Sequence, residues 1–407
     1  MGFPLPNTHT DDRHMINGLL LNRVLTAITK GYAVQDMVTV MLSDIELTIT
    51  SGLLSVSMPM DEQQHVTDIT FDLNCAQFKQ VIKGIKRVTL DLSDDRTMLL
   101  IGDTTRIIGM CPIFDTVSTF CKDLRNVHGH GYLTNSIRLR RSWALACSTI
   151  SVPGKRYSVD DGLCTMLIEH DATAIRLVST DGYRLTVASG FTEADPTLSK
   201  SLENVNETKT LYLPYHSSLA VNELLTLNSQ NVLTAITINR VNGVDYMQID
   251  SGDITITVMG ITVNRFPQYR QVIPRDGLVS TITFSDSILQ PIKRLWDNRS
   301  VLTDGKKGIL RKQDIRLSFE LIKAKSTQST IRITSRWDNT DIAPALDATS
   351  FLRFELGDNA AFILDYTYLV TLLEATKNNL TMNYRDSLKA LTFHDIQGNL
   401  TLIMPMQ

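Results

Sequence analysis

The amino-acid sequence predicts an α+β fold in which one type of domain is repeated three times. Most of the chain consists of short stretches rich in Val, Ile, Thr and Leu, with Asp, Asn, Gly or Ser at the breaks. That pattern is typical of antiparallel strands. Apolar residues recur at helical spacing in a few stretches only, namely 19–30, 75–87, 140–150, 216–227, 286–298 and 366–377.

Repetition along the chain supports three domains. The segments ITFDLNCAQFKQVIKGI, TLYLPYHSSLAVNELLTL and AFILDYTYLVTLLEATK look alike. In each, an alternating strand ends in a leucine (Leu73, Leu213 or Leu364), and a short polar connection and an amphipathic helix follow. A second set of helices followed by strands lies between these segments, so we expect two helices in each domain. The alternative is a chance similarity, because strand–helix–strand patterns are common.

Composition is that of an ordinary globular protein. The 407 residues are 43% hydrophobic and 20% charged, and a chain of this length usually forms two or three domains. No apolar run approaches the ~20 residues needed to span a bilayer, and the first residues do not resemble a secretory signal. The five cysteines are widely spaced, without a CxxC pair. We therefore expect reduced thiols and a cytoplasmic location.

Catalytic motifs are absent from the sequence. It contains no GxSxG, HExxH, P-loop or GxGxxG pattern. His128 and His130 lie two residues apart, but no Cys, His or carboxylate cluster nearby completes a metal site. We expect neither enzymatic activity nor a metal or other cofactor. A hydrolase would need an acid–base site that the sequence does not reveal.

Basic residues concentrate on the predicted helices although the formal net charge of the chain is −3. In FKQVIKGIKR, Lys79, Lys83 and Lys86 are spaced to share the face opposite the apolar stripe. Three further predicted helices carry Arg23 and Lys30, Arg138 and Arg141, and Lys293 and Arg294. One basic helix face is usually only solvated surface. Repeated across domains, such faces predict a surface that meets a phosphate backbone without reading its sequence.

Three short strings resemble signatures of one protein family. STDGYRL resembles the ATDGHRL signature of the bacterial sliding clamp, the β subunit of DNA polymerase III. NRFPQYRQVIP, at 264–274, resembles the clamp stretch RFPDYRRVLP, and LTLIMPMQ resembles the clamp ending YVVMPMRL. The three strings occur in the family's order. The resemblance therefore extends over essentially the whole chain, with the first part matching in pattern rather than in wording.

This resemblance implies an architecture and a function. It implies three clamp-type domains, at 1–133, 134–266 and 267–407, each with two helices packed inside antiparallel β-sheets. Two chains would join head to tail as a homodimeric ring around duplex DNA. The ring would act as a non-enzymatic processivity factor that tethers DNA polymerase and also meets the clamp loader and other clamp-binding proteins. The basic helices, together with Tyr157, would face the DNA.

The resemblance also implies a cleft for partner peptides that carry Gln and Leu or Phe anchors. Its residues would come from the turn of STDGYRL, which we call the signature turn, from the stretch 264–274, which we call the connector, and from the C-terminal tail, with three more from weaker alignments. They are Thr180, Gly182, Tyr183, Arg184, Leu185, Pro267, Val272, Met404, Pro405, Met406, Val159, Tyr368 and Leu388. Methionine and aliphatic side chains form adaptable apolar pockets, and an arginine can lay its stem along one while its head stays polar. The alternative for aliphatic residues such as Leu185 and Val272 is a plain core position.

The sequence departs from the family pattern at several of these places. Tyr183 stands where the family often has His, Gln271 where a second Arg is common, and the tail ends at Gln407 without an Arg-Leu pair. Ser158 follows Tyr157 where the family has an aromatic pair. We therefore expect an altered peptide preference and a weakened DNA contact at this loop. A β-rich structural or assembly protein is the alternative function.

Overall fold

Secondary structure fills most of the chain that a computed structural model describes. The described residues are 14–31, 37–43, 45–60, 69–103, 105–115, 130–154, 156–171, 174–189, 192–194, 209–227, 231–274, 280–284, 316–322, 329–336, 346–352, 361–376, 380–384 and 390–405. Within them the helices are α1 Gly18–Gly31, α2 Cys75–Ile82, α3 Ser136–Cys147, α4 Tyr215–Leu225 and α5 Tyr366–Thr376.

The strands are short and follow the alternation of the sequence. In chain order they are β1 His14–Asn17, β2 Met37–Leu42, β3 Glu46–Ser51, β4 Leu54–Pro59, β5 Ile69–Asn74, β6 Arg87–Leu92, β7 Met98–Gly102, β8 Ile107–Phe114, β9 His130–Asn135, β10 Thr165–His170, β11 Ile175–Thr180, β12 Arg184–Ala188, β13 Thr192–Ala194, β14 Lys209–Pro214, β15 Leu233–Val241, β16 Val244–Ser251, β17 Ile254–Met259, β18 Ser280–Phe284, β19 Arg316–Ile322, β20 Ser329–Arg336, β21 Leu346–Leu352, β22 Ala361–Asp365, β23 Leu380–Tyr384, β24 Leu391–Asp395 and β25 Leu400–Ile403.

Three antiparallel sheets contain these strands. The largest has the order β1-β6-β7-β8-β5-β2-β3-β4-β17-β16-β15-β9-β13, the second β14-β10-β11-β12-β25-β24-β23-β18, and the third β21-β20-β19-β22. Two pairings join distant parts of the chain. β4 pairs with β17, and β12 pairs with β25. Sheets therefore run continuously across the boundaries of the expected domains.

The helices pack on one another and on the sheets to form the core. α1 contacts α2 and α4, and α3 contacts α4, α5 and the strands β11 and β12. One large apolar cluster extends from Ile16 through Trp143 to Val258. Trp143 is fully buried, and its indole N–H donates to the carbonyl oxygen of Ser218 on α4 at 2.9 Å. The expected α+β fold with antiparallel sheets is confirmed.

Three helix predictions are accurate and two are wrong at their ends. The helices predicted at 19–30, 216–227 and 366–377 lie within two residues of their bounds. The helix predicted at 75–87 ends at Ile82, because Gly84 adopts a left-handed conformation (φ 83°) that breaks it. The helix predicted at 140–150 begins at Ser136, because Asn135 accepts hydrogen bonds from two of the first helical amides. The stretch 286–298 lies outside the described residues.

The repeated strand–helix unit differs from its prediction in one respect. The expected polar connection is absent, since α2, α4 and α5 each begin at the residue after β5, β14 and β22. Asn74 and Asp365 take the capping position, and their side-chain oxygens accept hydrogen bonds from Gln77 and Thr367 amides. A capping residue turns the chain from strand to helix directly, so a polar residue there resembles a loop in the sequence.

Four cysteines lie in the described part of the chain, and all four are buried and unpaired. Burial raises the pKa of the Cys164 thiol to about 11 and that of Cys147 further, so neither forms a thiolate readily. The described residues contain no cluster of His, Cys, Asp or Glu suited to a metal ion. No helix in the described ranges has the length and apolar character needed to cross a membrane.

Acid is expected to weaken the fold through His394 on β24. Burial lowers the pKa of its imidazole, and the neighbouring Asp395 carboxylate offsets only part of that effect. The unfolded chain gains this proton near pH 6.5, before the folded chain does. The contribution of neutral His394 to the free energy of unfolding should therefore be fully present above about pH 6.5. It should fall as the pH drops towards the lower pKa of the folded state. Urea denaturation at about pH 7.5 and about pH 5.5 should show a smaller loss for His394→Gln than for the wild type. An equal loss would assign the effect to other groups.

Candidate peptide-binding cleft

The signature turn between β11 and β12 is closed by its own side chains. Asp181 Oδ1 accepts hydrogen bonds from the amides of Tyr183 and Arg184, at 2.9 and 2.8 Å. Thr180 Oγ1 donates to the Arg184 carbonyl oxygen and accepts from the Gly182 amide. Gly182 has φ 89°, which favours glycine because it has no Cβ. The turn holds Tyr183 outward, with 55% of its surface exposed.

Arg184 is locked between a carboxylate and an aromatic ring. Its Nε and Nη2 donate to Asp181 Oδ2 at 2.9 and 2.8 Å, and its guanidinium carbon lies 4.1 Å from the ring centroid of Tyr368. The Arg184 and Asp181 side chains are only 12% and 13% exposed. A cation held over a ring and withdrawn from water is stabilised by about 2 kcal/mol. The guanidinium of Arg184 thus has a polar partner, as expected, but it is largely buried.

Helix α5 brings Tyr368 to this position. Asp365 caps the helix by accepting hydrogen bonds from the amides of Thr367 and Tyr368. Burial raises the pKa of the Asp365 carboxyl, and the charge of Arg184 opposes that rise. Burial, together with the charge of Asp181, raises the pKa of the Tyr368 phenol to about 12. Tyr368 is therefore a neutral ring at physiological pH.

The C-terminal strand β25 completes this wall of the candidate cleft. β25 pairs with β12, so that Ile403 lies opposite Arg184 and Leu402 opposite Leu185. Beyond the strand, the Met404 amide donates to the Tyr183 carbonyl oxygen at 3.0 Å. Met404 is 43% exposed. The tail thus places a flexible apolar side chain beside the turn.

A small apolar cluster, which we call the cleft floor, lies on the same sheet. It consists of Leu167, Val178, Leu185, Val187, Tyr269 and Leu402. Phe266 and Ile273 of the connector pack against it. Strands β10, β11, β12 and β25 supply the aliphatic members, and the connector supplies Tyr269. The connector is therefore fixed over the sheet by apolar contact.

Polar contacts fix the connector further. The Tyr269 hydroxyl donates to Glu169 Oε2 at 2.7 Å, and Arg270 Nη2 donates to the same oxygen at 2.8 Å. Burial raises the pKa of the Tyr269 phenol, so its hydroxyl remains a donor. On the other side, a Cβ added to Gly162 would lie 2.3 Å from the Arg265 carbonyl oxygen. The loop that contains Val159 and Gly162 therefore packs directly against the start of the connector.

The structure brings several predicted cleft residues together. Tyr183, Arg184, Tyr368 and Met404 meet at the turn, and Leu185 lies in the cleft floor. Leu185 is buried as a core residue would be, whereas Val159, Val272 and Met404 are exposed. Thr180 is buried in the turn, and Pro267 and Pro405 are half-buried. Leu388 and Met406 lie outside the described residues.

The sequence placed Asp181 in the turn but did not reveal its ion pair with Arg184, and it did not reveal Glu169 and Tyr269 as parts of this arrangement. Asp181 precedes Arg184 by three residues, a spacing that suits an ion pair across a turn and was an available signal. Glu169 and Tyr269 are far apart in the chain, and no local pattern connects them.

The predicted DNA-facing residues fall into three groups. Arg23, Lys83, Lys86 and Arg138 are exposed, and Lys79 and Arg141 are half-buried. Lys30 is exposed but pairs with Glu223 of α4 at 2.9 Å, and Tyr157 lies beneath the guanidinium of Arg156. Lys293 and Arg294 lie outside the described residues. The expectation that Lys79, Lys83 and Lys86 share one helix face is wrong, because the helix ends at Ile82 and both Lys83 and Lys86 follow it.

Comparison with known proteins gives structural matches only. No protein family model and no curated protein matches the chain. The DNA polymerase III beta subunit of Thermotoga maritima matches with a TM-score of 0.68 at 16% identity, covering 97% of this chain and 99% of that one. The sliding clamp of Bacillus subtilis matches with a TM-score of 0.69 at 13% identity, with the same coverage. A Pseudomonas aeruginosa sliding clamp bound to griselimycin matches with a TM-score of 0.66 at 14% identity, again with that coverage.

Each of these matches covers 97% of this chain. The chain has the fold of the bacterial DNA polymerase III beta subunits.

Proposed function

We propose that this protein is a DNA sliding clamp, a ring that encircles duplex DNA and tethers a polymerase to it. The observation that carries the proposal is the meeting of the signature turn, the connector and the C-terminal strand around one apolar floor, within a fold shared with sliding clamps over 97% of the chain. The proposed role is non-enzymatic. Ring closure, rather than tight binding, would keep the polymerase on its template.

Strand β8 is the proposed site of head-to-tail dimerisation. Its outward residues Ile108, Met110 and Phe114 are exposed, while the alternate residue Cys111 is buried. β7 pairs with one edge of β8, but β5 reaches only Ile113 and Phe114 on the other. The remaining edge, among the described residues, has no partner strand and is open to one from a second chain. β21, the end strand of the third sheet, is the proposed counterpart.

The proposed ring contains three domains per chain, at 1–133, 134–266 and 267–407, with the basic residues of the helices facing the DNA. Arg23 and Arg138 on the helices, and Lys83 just after the end of α2, are exposed and available for phosphate contacts. Such contacts are independent of sequence and weaken as salt rises, which suits a protein that slides. A closed ring tolerates weak contacts because it cannot leave DNA sideways.

Retention on DNA tests this proposal. Purified protein is loaded by the cognate clamp loader onto nicked circular duplex DNA and then passed through a sizing column in about 0.5 M salt, where phosphate contacts are screened. We expect it to stay on circular DNA and to leave after the circle is cut once. Equal loss from circular and linear DNA, or filaments instead of rings in electron micrographs, would overturn the proposal and favour an assembly protein.

The cleft is proposed to bind partner peptides, with Arg184 as a positioning residue. Arg184→Ala would remove the stacking on Tyr368 and leave Asp181 without its cation. We expect a labelled pentapeptide with Gln first and Leu-Phe last to bind at least about tenfold more weakly, since each lost contact costs 1 kcal/mol or more. Fluorescence anisotropy measures the affinity.

Arg176→Ala is the matched control for Arg184→Ala. Arg176 pairs with Asp171 at 3.1 Å on the neighbouring strand β11, away from the signature turn. That variant should bind the pentapeptide like the wild type, and both variants should remain dimeric. Unchanged affinity of Arg184→Ala for the pentapeptide would contradict the assignment of the cleft but would not bear on the proposed ring.

A further inference from the structure

A concave site lies where the start of α3 meets the turn between β24 and β25. It is a cavity of about 630 Å³ lined by Ile137, Arg138, Arg141, Leu233, Ile396 and Gln397, among others. This volume is within the range of sites for small ligands and short peptide segments. None of its lining residues is acidic.

Two guanidinium groups give the cavity its charge. Arg138 and Arg141 are three residues apart on α3, so they lie on the same side of the helix. Arg141 Nε is buried and has no hydrogen-bond partner among the described residues. A buried donor without an acceptor is unfavourable, and an anionic oxygen from a ligand would satisfy it.

The end of α3 itself is already satisfied. Asn135 Oδ1 accepts hydrogen bonds from the amides of Ile137 and Arg138, and Asn135 Nδ2 donates to Asn231. The Ser136 amide donates to the Val232 carbonyl oxygen. An anion in the cavity would therefore be bound by the arginine side chains rather than by free helix amides.

The rim of the cavity is apolar. Leu233 and Ile396 are each 70% exposed and come from different sheets. The turn that carries Ile396 is held in place by Asn399, which is buried, donates to Ser142 Oγ at 3.2 Å and accepts from the Ser189 amide at 3.0 Å. Two large aliphatic side chains are thus presented to solvent beside two arginines on a fixed frame, which marks an interaction site.

We propose that this cavity is a second docking site, separate from the cleft, for a partner segment in which Asp or Glu alternates with Leu or Ile. The acidic groups would pair with Arg138 and Arg141, and the aliphatic side chains would cover Leu233 and Ile396. A nucleic-acid backbone would use the arginines but leave both aliphatic side chains in water, so the amphipathic lining favours a peptide. The inference does not depend on the proposed clamp function, but Arg138 is also among the residues proposed to face DNA, so the two ligands would compete for it.

Binding of short labelled peptides tests this site. The probe is fluorescein-labelled Asp-Leu-Asp-Leu-Asp, and its controls are Asn-Leu-Asn-Leu-Asn, which lacks the charges, and Asp-Ser-Asp-Ser-Asp, which lacks the aliphatic groups. We expect both controls to bind at least about tenfold more weakly. The Arg138→Met/Arg141→Met and Ile396→Ser variants should weaken the probe similarly. Arg140→Met, on the same helix but outside the cavity lining, should bind it within about twofold of the wild type.

Several results would overturn the inference. They are equal binding of the Asp-Ser peptide, full affinity in Ile396→Ser, or full affinity in the double arginine variant. Ile396 lies in an exposed turn, so its variant keeps the test valid even where the arginine variant does not fold. Displacement of the probe by duplex DNA with no loss in Ile396→Ser would assign the arginines to DNA alone. Displacement by the Gln/Leu-Phe pentapeptide would place the probe in the cleft.

Discussion

The Ile108→Asp/Met110→Asp variant is expected to be a monomer that does not stay on circular DNA. Both side chains are exposed on β8, beside the strand edge that lacks a partner. In the proposed dimer they would be buried, and burying two carboxylates without cations is far costlier than burying two aliphatic groups. Sedimentation at micromolar concentration should find a single chain. Retention on closed circles should fall to the level of linear DNA.

Ile45→Asp is the matched control for this variant. Ile45 is also exposed, at 61%, but lies in the turn between β2 and β3 rather than on β8. The Ile45→Asp variant should remain dimeric and stay on closed circular DNA. If the β8 variant is still dimeric, the interface lies elsewhere than on β8. If it is monomeric but stays on circular DNA, topological tethering itself is contradicted.

Trp143→Ala is expected to cause the largest loss of stability among single substitutions of this chain. The side chain is fully buried in α3, in the large apolar cluster, and its N–H donates to Ser218 on α4. Removing a buried tryptophan costs about 3–5 kcal/mol, because apolar contact is lost and a cavity remains. The change in the free energy of unfolding can be measured by urea denaturation. Much of a domain's stability, about 5–15 kcal/mol, would be lost.

Trp143→Phe separates volume from hydrogen bonding. Phenylalanine retains most of the apolar contact, and the Ser218 carbonyl oxygen still accepts from the Cys147 thiol at 3.3 Å. We therefore expect a loss well below that of alanine. Equal losses for the two variants would mean that the hydrogen bond, rather than packing, carries the effect.

Local patterns in the sequence predicted the secondary structure well. The alternation of β8 and β17 and the apolar spacing of α1 are direct consequences of one buried face, so they can be read from neighbouring residues. The misplaced helix ends had local signals too. Asn135 is a good cap, and Gly84 a good terminator, but the prediction followed the apolar spacing. That spacing ran past Gly84 at the end of α2 and placed the start of α3 only at residue 140.

Contacts between distant residues could not be read from local patterns. The stacking of Arg184 on Tyr368 and the hydrogen bond from Tyr269 to Glu169 depend on how the sheets meet. Resemblance to a family gathered the turn, the connector and the tail in one cleft, but it carried over single residues rather than their pairs. The pairing of Asp181 with Arg184 and the role of Glu169 were therefore missed, since each carboxylate contributes by holding another residue in place.

In the proposed clamp, the pairing of β12 with β25 would also determine when a partner can first bind. A ribosome completes β12 long before it reaches β25, so a nascent chain presents the Asp181–Arg184 turn without its neighbouring strand. The Met404 amide that donates to Tyr183 is added only after the strands of all three sheets have been made. Unfinished chains, which could not close around DNA, would thus also be unable to draw a polymerase away from finished rings.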